Sequence, residues 1–120
     1  MARFGDVVIA PEDEGKEKHV PQIHAPASAK AGEPFDVTVI VGEEVAHPNT
    51  IEHHIKWIQL FAKPDSKRPT VHIGTFDLGP TFAVPRVTVP VILEESATLY
   101  ALEYCNIHGV WDNSMQVTVE

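Results

Sequence analysis

Ten prolines are scattered through the 120 residues, and they limit the fold more than any other feature. A proline inside a helix removes an intrahelical hydrogen bond and clashes with the preceding turn, so any helix must fit between them. None of the intervals carries a sustained apolar period of 3.6 residues; what they carry is alternation. In Pro34 to Val41, Phe35, Val37, Val39 and Val41 fall on one face, with Asp36 and Thr38 on the other. Glu52 to Ala62 is rich in Ile, Trp, Leu and Phe, and Thr70 to Phe76 is a short β-prone run. Arg86 to Leu93 sets Val87, Val89 and Val91 on one face and Pro90 on the other, as an edge or bulged strand would. Thr98 to Tyr104 and Met115 to Val119 complete the series. Ala31-Gly32-Glu33, Gly42-Glu43-Glu44, Lys63-Pro64-Asp65-Ser66, Leu78-Gly79-Pro80 and Glu94-Glu95-Ser96 punctuate these runs. The pattern predicts an all-β fold: an immunoglobulin-like antiparallel β-sandwich of about seven strands. It forms a single domain over residues 1–120. The first ~20 residues, with the charged run Glu12 to Lys18, read as an N-terminal arm.

A sandwich does not specify an activity, so function must come from a site. The net charge of −8 argues against nucleic acid and anionic membranes as partners, and an anionic substrate would need a local positive field. The only cysteine is Cys105, which rules out an internal disulfide. With no apolar leader in Met1 to Ala10, it points to a reducing, cytoplasmic setting. Seven histidines, at 19, 24, 47, 53, 54, 72 and 108, form a large store of metal ligands for so short a chain.

Cys105 and His108 are separated by two residues just after a strand, so a tight turn lets thiolate and imidazole reach one ion. That pair suits iron, copper or zinc, although a lone cysteine is as readily a small buried core residue. His47 and His53 flank the start of the Glu52–Ala62 strand, and the loop Pro48-Asn49-Thr50 can fold back to bring their rings together. His53 and His54 are neighbours and point to opposite faces of a regular strand. His53 would share its face with Ile55 and Trp57, and His54, beside Lys56, would be the more solvated. His19 precedes Val20-Pro21 in a loop where an exposed histidine is equally ordinary, and His24 and His72 read as surface residues. Gly109 suits a positive-φ turn, and Asn106 is placed to hydrogen-bond near the sulfur.

Three stretches, Glu17-Lys18-His19-Val20-Pro21, His47-Pro48-Asn49-Thr50-Ile51-Glu52-His53-His54 and Cys105-Asn106-Ile107-His108-Gly109, stand unbroken and in order. In them the chain resembles the superoxide reductases, and among these the one-iron neelaredoxin type, from about Lys16 to the C-terminus. The four-cysteine site of the two-iron relatives has no counterpart, since no cysteine precedes Cys105. The resemblance implies one iron per chain, with His19, His47, His53 and His108 as equatorial ligands, Cys105 axial and the sixth position open in the ferrous state. It implies that Glu17 takes that position in the ferric state and that Lys18 lies beside it. The activity implied is one-electron reduction of superoxide to hydrogen peroxide, with rubredoxin as electron donor and a homotetrameric assembly. Four neutral imidazoles and one thiolate leave a ferrous centre with a net positive charge, to which Lys18 adds. A local field of that sign raises association rates ~10- to 1000-fold.

Two rival readings use the same residues. A cupredoxin-like electron-transfer protein would take copper at His47, Cys105, His108 and Met115, leaving His19 and His53 unused. A non-enzymatic immunoglobulin-like interaction domain would carry its histidines incidentally and bind no stoichiometric metal. A third reading concerns the reaction and not the site: the same iron would also dismutate superoxide.

Overall fold

A computed structural model describes residues 1–13 and 19–120. Among the described residues there are eight strands: β1 (Gln22–His24), β2 (Ser28–Ala29), β3 (Phe35–Ile40), β4 (Ile55–Pro64), β5 (Val71–Asp77), β6 (Arg86–Val91), β7 (Ala97–Cys105) and β8 (Gly109–Val119). They form two sheets, β1-β3-β6 and β2-β8-β7-β4-β5. The expected sandwich is there. Pairings between these strands are antiparallel except β2 with β8, a short parallel pair made by a strand with no alternation long enough to read in sequence. The described part of the arm carries a helical turn, α1 (Phe4–Val7), and a 3-10 turn, Pro11–Asp13. Among the described residues no helix is long and apolar enough to cross a membrane.

The alternation in β3 is realised as expected: Val37, Val39 and Val41 are buried in the core with Leu60, Leu99 and Val117 from the other sheet. Each fully buried aliphatic side chain of this kind contributes about 1.5–3 kcal/mol. β6 is an edge strand of its sheet, which tolerates Pro90 because its missing N–H is not needed by a further neighbour.

β4 departs from the expected parity. Its register against β7 shifts between Ile55 and Trp57, so Ile55 and Ile58 both point inward while Trp57 turns outward and stacks on Tyr104. A bulge inserts one residue and re-aims its neighbours. The strand begins only at Ile55, so His53 and His54 lie in the preceding bend, where strand parity does not apply. β7 and β8 are joined by the tight turn 106–108, with Cys105 paired to Gly109. Gly109 adopts the expected positive φ, +89°.

Candidate metal centre

Four imidazole rings close a circuit at one end of the sandwich. Ring centroids are 4.9 Å apart for His19 and His47, 4.7 Å for His47 and His53, 5.0 Å for His53 and His108, and 4.9 Å for His108 and His19. Consecutive rings meet edge to face, with interplanar angles of 66–81°. This is the arrangement of rings that turn one edge each toward a common axis. Cys105, fully buried, supplies a sulfur to the same place; its Sγ lies 3.8 Å from Nδ1 of His108.

Local structure explains the convergence. β4 and β7 are neighbours in register, so the bend before β4 and the turn after β7 emerge side by side. Gly42 bends the chain after β3 at φ +80°; a Cβ there would sit 2.5 Å from the His47 backbone nitrogen, so only glycine allows His47 to lie so close. Thr50 and His53 close the His53 bend on itself, through His53 N–H to Thr50 Oγ1 at 3.0 Å and Thr50 N–H to His53 O at 2.9 Å. Ile9 bridges to Trp111, fastening the arm beside the site, and Trp111 stacks flat on His19 at 4.8 Å and 11°. The Trp111 indole N–H donates to the His108 carbonyl at 3.2 Å, so one side chain supports two of the imidazoles. Trp111 stands close after the C-x-x-H turn, but its role has no sequence signature; only the folded arm brings His19 against it.

The donor set fits a metal ion. Ligand atoms of His19, His47, His53 and Cys105 all lie within 4.8 Å of one another. The midpoint of even the widest pair is therefore about 2.4 Å from each atom, against usual metal distances of ~2.0–2.1 Å for nitrogen and ~2.3 Å for sulfur. His47 Nδ1 donates to the Pro48 carbonyl at 2.7 Å, which fixes the tautomer and leaves Nε2 with the lone pair a metal needs. His19 and His47 are 4% and 6% exposed and Cys105 0%, whereas His108 is exposed. The Sγ accepts the His108 backbone N–H at 3.4 Å, which stabilises a thiolate.

Not every expectation survives. His54 is buried, 8% exposed, with Nδ1–H donating to the Thr50 carbonyl at 3.0 Å, because the bend turns it inward and not toward solvent. Asn106, next to Cys105, does hydrogen-bond beside the sulfur, its carboxamide joining residues 52 and 54. His24 and His72 are exposed, the first paired with Glu43 at 2.6 Å and the second bonded to Thr75. Glu17 and Lys18 lie outside the described residues. The copper alternative fails on distance: Met115 pairs with Leu99, six residues back along β7 from Cys105. At ~3.3 Å per residue that is about 20 Å from the sulfur. One feature lacked any sequence signal: Glu103, on the core face two residues before Cys105, is fully buried, and neither carboxylate oxygen has a hydrogen-bond partner among the described residues. Burial alone pushes its carboxyl up to about 9.

Fold and site together define a β-sandwich metalloprotein with a mononuclear centre of imidazoles and one thiolate. The sequence pattern of the desulfoferrodoxin family matches residues 11–114, and the chain belongs to that family. Its relatives include a superoxide reductase of Thermococcus kodakarensis, 41% identical, with 87% of this chain and 89% of that protein covered. The neelaredoxin of Megalodesulfovibrio gigas is 36% identical over 87% and 89% of the two chains. The solved superoxide reductase (neelaredoxin) from Ignicoccus hospitalis superposes with a TM-score of 0.92 at 37% identity, over 99% of this chain and 100% of that one.

Proposed function

We propose that this protein is a superoxide reductase, taking one superoxide, one electron and two protons to hydrogen peroxide at a single iron held by His19, His47, His53, His108 and Cys105. The observation that carries the reading is the meeting of four imidazoles and one buried thiol at one end of the sandwich, on loops far apart in sequence. When bound, the iron supplies the electron that reduces superoxide and is itself recharged by an external donor.

The chain's own residues do the rest. The four rings would hold the ion, and Trp111 keeps His19 and His108 in place. Core packing around Cys105 keeps water from the sulfur, and the His108 N–H holds negative charge on it. The exposed His108 side would leave room for a small anion to approach. Lys18, next to His19 in the chain, would draw that anion inward and order the water that delivers protons, and Glu17 would be a further, carboxylate ligand for the bound metal. The donor is a small one-electron carrier such as rubredoxin, the assembly a homotetramer and the setting the reducing cytoplasm.

Quantitative metal analysis with stopped-flow mixing of the reduced protein and superoxide tests the reading. One iron per chain, rapid oxidation by superoxide and peroxide formed without oxygen are expected. Copper as the native metal would refute it, and oxygen evolved in step with peroxide would make the protein a dismutase.

A further inference from the structure

Asn106 sits inside the C-x-x-H turn, yet nothing in the metal chemistry uses it. An asparagine in such a turn ordinarily bonds its own backbone two residues on. Here the N–H two residues on, that of His108, goes to the Cys105 sulfur, and the carboxamide faces across to the other ligand loop. Its Oδ1 accepts the His54 N–H at 2.8 Å, its Nδ2 donates to the Glu52 carbonyl at 2.9 Å, and its backbone N–H donates to the His54 carbonyl at 3.2 Å. β4 and β7 pair by main chain as far as Ile55 and Cys105, where β7 turns away. Just past that point one main-chain bond remains, from Asn106 N–H to the His54 carbonyl, and the carboxamide adds two more to the same loop, through Oδ1 to His54 N–H and Nδ2 to the Glu52 carbonyl.

We propose that Asn106 is the positioning residue that fixes the bend carrying His53 against the turn carrying Cys105 and His108, and so sets the spacing between two parts of the ligand set. This rests on the metal-site reading given above. The bend itself is already rigid: Thr50 closes it on His53, and the buried His54 ring closes it on Thr50. A rigid bend and a tight turn need only one well-aimed clamp to hold them in register, and a carboxamide offers a donor and an acceptor at fixed separation. Aspartate has the same shape but no donor, and it would set a carboxylate oxygen against the Glu52 carbonyl.

The experiment compares the wild type with Asn106→Ala, Asn106→Asp and a control, Gln116→Ala. The control removes a side chain that bonds Thr98 and Asp65 at the far end of β7 and β8. Each protein is loaded with iron. Metal release to a chelator, the thiolate-to-iron charge-transfer band of the oxidised form and the melting temperature of the metal-free chain are measured. Both Asn106 variants should release metal ~10- to 100-fold faster and shift the band, as loss of a partner behind metal ligands does. Their metal-free melting should fall no further than the control's. Release and band equal to the wild type's in either folded variant would overturn the proposal. So would faster release that only tracks a loss of metal-free stability. A wild type that takes up no metal would overturn the functional reading as well, whereas a metal-loaded wild type matched by its variants overturns the clamp alone.

Discussion

Replacing Glu103 by Gln should flatten the pH dependence of stability of the metal-free protein. The carboxyl is fully buried beside Ile58 and Trp111 in the ladder, without a hydrogen-bond partner among the described residues. Desolvation raises it from an ordinary 4.5 to about 9. The sign follows from linkage. Between those two values the folded chain keeps a proton that the unfolded chain has lost, so stability falls as pH rises, by ~1.4 kcal/mol per pH unit. Below the unfolded value the group has no effect; above the folded value the loss is complete. From roughly pH 5.5 to 8.5 the parent should therefore lose about 4 kcal/mol relative to Glu103→Gln, a large share of the ~5–15 kcal/mol of a typical domain. The amide adds a pH-independent offset of its own, so the slope of the difference is the quantity to read. Asp112, whose carboxyl is also raised, by burial and by Glu12, is common to both proteins and cancels. Urea unfolding of both metal-free chains across this range provides the assay. A parent-minus-variant difference that stays flat would refute the reasoning and show that Glu103 is ionised in the fold.

Three further outcomes are expected. Lys18→Ala should slow the bimolecular reaction with superoxide and weaken its dependence on ionic strength in stopped-flow; an unchanged rate and salt slope would remove its steering role. Cys105→Ser should abolish the thiolate charge-transfer band of the oxidised protein, at a stability cost of about 1–3 kcal/mol for a buried hydroxyl; circular dichroism should show the sandwich intact. Gly42→Ala should cost about 2 kcal/mol or more in urea unfolding and lower metal stoichiometry, because the added Cβ meets the His47 nitrogen at a positive φ; wild-type stability would contradict the close approach.

The sheets were legible because side chains alternate along a strand with period two, and Val37, Val39 and Val41 display that period without reference to anything else in the molecule. The candidate ligands were legible through the three motifs that resemble the superoxide reductases; residue type alone set the donor chemistry and left His19 equally readable as an exposed loop histidine. What escaped was what depends on partners far along the chain. The bend before Ile55 removed the strand parity that assigned His54 to solvent. The cross-loop bonds of Asn106 and the stacking of Trp111 on His19 join residues that have no relation in sequence. Glu103 gave no warning, because a glutamate in a strand reads as polar until the tertiary structure closes a core over it. Sequence alone determined which chemical groups were available and which segments would form strands. Their common point, their orientation and the desolvation around them were decided only when two sheets packed and their end loops met. Coordination and burial depend on distances through space, and these are set by packing rather than by order along the chain.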